Sequence, residues 1–101
     1  MIGSKVYRDT VGLEILLHVG MDISECNEAR IYYYTPSGKY GSWASERSGD
    51  TMVRYMTEEN DLNEVGVWGI QAKIIFNDRI LYSDVVTFTV YETIPNKGGL
   101  S

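Results

Sequence analysis

The most constraining feature of the sequence is a ten-residue stretch, Val67 to Phe76, in which every second residue is apolar. Successive side chains of a β-strand point to opposite faces of a sheet, so this period of two predicts a strand with one buried face. The apolar residues are Trp68, Ile70, Ala72, Ile74 and Phe76. We expect this strand to cross the centre of the domain.

Shorter segments alternate in the same way at Leu13 to Val19, Ala29 to Tyr34 and Val86 to Val90. The turn sequence Thr35-Pro36-Ser37-Gly38 predicts a hairpin, because Pro fixes φ at the second turn position and Gly accepts a positive φ. The acidic segment Thr57 to Gly66 carries too few apolar residues for more than one helical turn. No helix long enough for a parallel crossover remains.

These patterns predict an all-β fold, an antiparallel immunoglobulin-like β-sandwich of about seven strands. We prefer a sandwich to a small barrel, although periodicity alone does not separate the two. The predicted domain covers residues 5–92, and residues 93–101, with Pro95 and Gly98-Gly99, are expected to form a flexible C-terminal tail.

Charge and cysteine content limit the partners and the compartment. The formal net charge of −5 repels phosphate backbones and anionic headgroups, so we expect neither a nucleic acid nor a membrane partner. No apolar run approaches the ~20 residues that span a bilayer. Cys26 is the only cysteine, which excludes an intramolecular disulfide and favours a reducing compartment.

The sequence predicts no enzyme, no cofactor and no metal site. Nucleophilic catalysis needs a nucleophile with a base, and the single Cys26 and single His18 fall on different predicted elements. Zinc needs three or four Cys or His ligands, more than this chain has. The acidic residues of the segment from Glu58 to Glu64 lack the spacing of a calcium loop and are interpreted as a solvated surface.

Aromatic residues are the best candidates for binding. Trp68 lies on the apolar face of its strand and is predicted to be in the core. Tyr32 and Tyr34 alternate with the apolar set and should face outward, where aromatic side chains can anchor a partner. With Tyr40 and Trp43 they form the predicted binding set, and ordinary cross-strand pairing is the alternative reading.

Four segments carry a resemblance to a known family: Asp22 to Ser24 (DIS), Thr35 to Lys39 (TPSGK), Asn60 to Ile74 (NDLNEVGVWGIQAKI) and Val86 to Glu92 (VTFTVYE). With them the chain resembles small immunoglobulin-like domains of tailed bacteriophages, including the N-terminal domain of the phage baseplate upper protein family. The resemblance covers about Tyr7 to Glu92.

The resemblance implies a noncatalytic virion component of the tail, baseplate, neck or particle surface, made in the host cytoplasm. Its partners would be other virion proteins, or further copies of itself in a homo-oligomer. The alternative is a carbohydrate-binding domain that recognises host-surface glycans. Protein docking predicts an apolar or strand-edge patch, whereas sugar binding predicts aromatic platforms beside Asp, Asn or Arg side chains.

Overall fold

The computed structural model describes residues 5–94, and these residues form eight β-strands and no helix. The part of the predicted tail at residues 95–101 lies outside the described residues. Among the described residues there is no helix that is long and apolar enough to cross a membrane. The strands are β1 (Val6–Tyr7), β2 (Glu14–His18), β3 (Glu28–Tyr34), β4 (Tyr40–Ser48), β5 (Met52–Met56), β6 (Gly66–Ile75), β7 (Ile80–Tyr82) and β8 (Val86–Tyr91).

The strands form one curled sheet that folds into two layers. Its order is β1-β8-β6-β3-β4-β5-β2, and β7 pairs with β6 beside β8. Strand β4 belongs to both layers, because its first half pairs with β3 and residues Glu46, Arg47 and Ser48 pair with β5. All pairings are antiparallel except the short parallel pair of β1 and β8.

The predicted fold class is confirmed: the chain is an all-β sandwich. The hairpin at Thr35 to Gly38 joins β3 to β4 as expected. The acidic segment after β5 contains turns and no helical turn, and Leu62 within it is fully buried. A single apolar anchor of this kind fixes a loop to the core without requiring a helix.

Stacked aromatic rings dominate the core. Trp68 is fully buried, as predicted, and lies against Phe88 with 6.2 Å between ring centroids. Trp43 is inserted between Tyr33 and Tyr55, at 4.6 and 4.8 Å. Offset stacking at such distances adds about 0.5–1.5 kcal/mol per pair to the gain from burial. These contacts fix the packing of the β3–β4 hairpin against the second layer.

The hairpin tip is also held by Glu64, which precedes β6. The backbone amide and the hydroxyl of Ser37 each donate a hydrogen bond of 3.0 Å to the Glu64 carboxylate. Partial burial alone would raise the pKa of Glu64, but the hydrogen bonds from Ser37 outweigh it and lower that pKa. The Glu64 carbonyl accepts a 2.9 Å bond from the indole of Trp68. The hairpin and the core are thereby joined at one residue.

Candidate functional site

The outer face of the sheet formed by β6, β3 and β4 carries a group of tyrosines. Alternation along β3 places Tyr32 and Tyr34 outward, because Ile31 and Tyr33 point into the core. The hairpin register sets Tyr40 opposite Tyr34, and their ring centroids are 6.2 Å apart. A short turn between two tyrosine-bearing strands thus creates an aromatic pair on the surface.

A glycine on the neighbouring strand lets one of these rings lie against the sheet. Gly69 of β6 is the cross-strand partner of Tyr34. A Cβ at residue 69 would collide with the Tyr34 ring, so the ring occupies the space that a side chain would need. Gly69 and Tyr34 both line a concavity on this outer face.

We call this concavity the tyrosine groove. It has a volume of about 660 Å³, which is within the ~300–1,000 Å³ of ligand pockets. It is lined by Tyr32, Tyr33, Tyr34, Tyr40, Gly41, Ser42, Gly69, Ile70, Gln71, Lys73, Tyr82 and Val85.

The structure brings together three of the four predicted binding residues. Tyr32, Tyr34 and Tyr40 line the groove, with 42%, 37% and 83% of their surface exposed. Trp43 does not join them, because it pairs with Ile31 in the inward phase of β4 and is only 5% exposed. Trp43 is a core residue.

Among the groove residues that the sequence analysis missed are Lys73 and Tyr82. Lys73 occupies the outward phase of β6, where alternation could have placed it, and Tyr82 lies opposite it on β7. The ammonium of Lys73 is 5.7 Å from the centroid of the Tyr32 ring. Their proximity depends on strand order, which period-two patterns do not encode.

Polar side chains of the groove are largely engaged within the protein. The Gln71 amide donates to the Ser83 carbonyl at 2.9 Å. The Ser42 hydroxyl accepts two bonds from Arg30, at 3.0 and 3.3 Å. Asp, Asn, Glu and Arg are absent from the described residues that line the groove. Apart from the ammonium group of Lys73, its free surface is therefore mainly aromatic, aliphatic and phenolic.

A smaller cleft of about 220 Å³ opens between the edges of β2 and β8. It is lined mostly by inward-facing apolar residues, including Ile15, Leu17, Ile70 and Phe88. This is the place where the curled sheet does not close on itself. It offers little volume and no exposed aromatic ring.

The described residues form no cluster of His, Cys, Asp and Glu that could hold a metal ion. No three side chains of His, Cys, Asp or Glu between residues 5 and 94 come together around a common point. His18 is exposed at the end of β2, opposite Met52 on β5, and Cys26 is partly buried against the core.

Comparison with known proteins supports the fold. No protein-family model and no curated protein matches the sequence. Among solved structures, the crystal structure of CopC from Methylosinus trichosporium OB3b matches with a TM-score of 0.59 and 15% identity, covering 91% of this chain and 89% of CopC. At that identity the likeness concerns the fold alone.

This match contradicts the phage resemblance. CopC from Methylosinus trichosporium OB3b is not a phage protein, and no comparison supports a phage family. The expected role as a virion component, with its virion location, was wrong. The segments behind the resemblance are turns and core strands, and such features recur in unrelated β-sandwiches.

The described residues of this chain do not fit a copper site. Copper sites in proteins are built from several imidazole, thiolate or thioether ligands. Here one imidazole, His18, faces one thioether, Met52, and the described residues provide no further His. We therefore derive no function from copper.

Proposed function

We propose that this protein is a noncatalytic binding module whose tyrosine groove holds a segment of another polypeptide. The observation that carries the proposal is the convergence of Tyr32, Tyr34, Tyr40 and Tyr82 on one open concavity. Tyrosine is enriched in binding surfaces because its rigid ring gives large contact area at low cost in conformational entropy.

The lining of the groove favours a polypeptide over a sugar. A sugar presents many hydroxyl groups, and it needs carboxylate, amide or guanidinium partners beside the aromatic rings. Gln71 and Ser42 are already hydrogen-bonded within the protein, and the described lining holds no Asp, Asn or Arg. Apolar and proline side chains, by contrast, pack directly on tyrosine rings.

The tyrosine groove lies on the outer face of the sheet, and this position suits an extended polypeptide segment. The groove lies on the open surface of the sheet, and the absence of a side chain at Gly69 lets the Tyr34 ring lie close to the backbone of β6. Aromatic-lined grooves of other domains hold extended proline-rich segments in the same manner, with rings packing against the prolines. The partner is then a different protein or a second copy of this chain.

Selection from a displayed random peptide library tests the proposal. Peptides enriched on the wild-type protein should bind the variants Tyr34→Ser and Tyr40→Ser at least about tenfold more weakly, as expected when interface aromatics that each contribute more than ~1 kcal/mol are removed. Tyr91→Ser, which changes an exposed tyrosine near β1, is the matched control. Enriched peptides that bind all three variants like wild type would refute the groove as the binding site.

A further inference from the structure

A like-charged pair lies at one side of the tyrosine groove. Lys73 on β6 and Arg30 on β3 are direct cross-strand partners on the outer face. Like charges directly opposite each other destabilise a sheet. Such a pair is unexpected in a chain with a net charge of −5.

Neighbouring carboxylates neutralise this pair only in part. Glu28 is 3.5 Å from Nη1 of Arg30, with half of its side-chain surface exposed. Lys73 forms no ion pair with any carboxylate of residues 5–94, and its ammonium group lies over the Tyr32 ring. All three ammonium protons of Lys73 are therefore free to bond a ligand.

We infer that the groove selects acidic polypeptide segments, with an Asp or Glu side chain of the partner held by Lys73 and attracted by the charge of Arg30 beside the groove. This inference rests on the proposed function and names the chemistry of its ligand. The partner's carboxylate would relieve the repulsion between the two cations while its neighbouring residues pack on Tyr32 and Tyr34. Charge complementarity therefore gives specificity, and the tyrosines give contact area.

The position of the cations supports the same assignment. Lys73 is flanked by Tyr32 on β3 and by Tyr82 on β7, so an anion beside it is partly shielded from water. Charge-assisted hydrogen bonds are about twice as strong as neutral ones, and they strengthen further where water is excluded.

Fluorescence anisotropy with two labelled peptides tests the inference on the full chain. The probes are a peptide that alternates Glu with Pro and Tyr, and its copy in which every Glu is Gln. We expect the acidic peptide to bind about tenfold more tightly, since hydrogen bonds to charged groups contribute at least ~1.5 kcal/mol. Lys73→Gln should abolish that preference, whereas Lys5→Gln, the same charge change near Tyr91, should keep it.

Three other results would each overturn the inference, one of them together with the proposed function. Equal binding of the two peptides, weakened by Tyr34→Ser but not by Lys73→Gln, would overturn the acidic preference and leave the groove as a peptide site. Peptide binding that Tyr34→Ser leaves unchanged would overturn both proposals. Competition by a uronic-acid oligosaccharide at lower concentration than the acidic peptide would replace the polypeptide by an acidic glycan.

Discussion

The ring of Tyr34 lies in the space that a side chain at Gly69 would occupy, and the ring of Tyr33 stands in the same relation to Gly41. The two tyrosines are neighbours in sequence but point to opposite faces of β3. The Tyr34 ring lies on the outer face with the tyrosine groove, whereas the Tyr33 ring packs on Trp43 in the core. The same local substitution should therefore have different effects at the two glycines.

Gly69→Ala should reduce peptide binding and leave stability almost unchanged. The Tyr34 ring is partly exposed and can rotate away from the new methyl group, so we expect a change of less than about 0.5 kcal/mol in the free energy of unfolding. The displaced ring no longer forms the groove wall. Anisotropy titration with a selected peptide, beside urea unfolding, measures both effects.

Gly41→Ala is the matched control, and in contrast to Gly69→Ala it should lower the stability of the fold. Tyr33 is confined by Trp43 at 4.6 Å and Trp68 at 5.7 Å, so it has no free space to enter. Overpacking of this kind costs about 1–3 kcal/mol. A Gly41→Ala protein as stable as wild type would show that the Tyr33 side chain is not fixed in the core.

Trp43→Ala should destabilise the fold by about 3–5 kcal/mol, because it removes a buried ring that stacks on Tyr33 and Tyr55. Trp43→Phe keeps most of the ring and should retain peptide affinity while losing some stability. Urea unfolding followed by far-ultraviolet circular dichroism gives the first quantity. A Trp43→Phe protein with wild-type stability and lost binding would return Trp43 to the binding set.

The environment of Tyr55 predicts that the folded protein loses stability at alkaline pH. Burial, and then the hydrogen bond to the Asp61 carboxylate, raises the pKa of Tyr55 above its ordinary value of about 10. The unfolded chain releases this proton near pH 10 while the folded protein keeps it. The stabilisation is complete below pH ~10 and decreases as pH rises above it.

Urea unfolding between about pH 8 and pH 11 measures this loss. Tyr55→Phe should show a smaller decrease over that interval than wild type, and Tyr40→Phe, at an exposed position, should behave like wild type. If Tyr55→Phe loses as much stability as the wild type over this pH interval, groups other than Tyr55 cause the loss.

Copper should not bind tightly to this chain, because the chain has one His and one Cys. The described residues pair His18 with Met52 across β2 and β5, and they contain no group of three His, Cys, Asp or Glu side chains. We expect less than one copper ion per chain after a wash with a chelator, measured by atomic absorption. One retained ion per wild-type chain that is lost in His18→Ala would contradict this expectation.

The sequence predicted the fold class and the faces of its strands, because a period of two is directly readable from residues such as Trp68 and Ile70. The outward phase of Tyr32 and Tyr34 followed from the same rule. The burial of Trp43 did not, because β4 contains small and polar residues on both sides of the tryptophan, and these hide the alternation. Only the pairing of Trp43 with Ile31 fixes its phase.

The groove itself could be predicted only in part. The turn at Thr35 to Gly38 implies that Tyr34 and Tyr40 are close, because a hairpin sets its flanking residues opposite each other. Lys73 and Gly69 reach the same surface only because β6 lies beside β3 in the strand order. That order results from long-range packing, and the local pattern of β6 carries no sign of its neighbour.

The most direct test of the account is to map where a selected acidic peptide binds on the ¹⁵N-labelled protein by nuclear magnetic resonance. We predict that the largest changes in chemical shift fall on the amides of Tyr32, Gly41, Gly69 and Lys73, around the tyrosine groove. Changes concentrated at Leu17 and Phe88, along the cleft between β2 and β8, would contradict the assignment of the groove as the binding site.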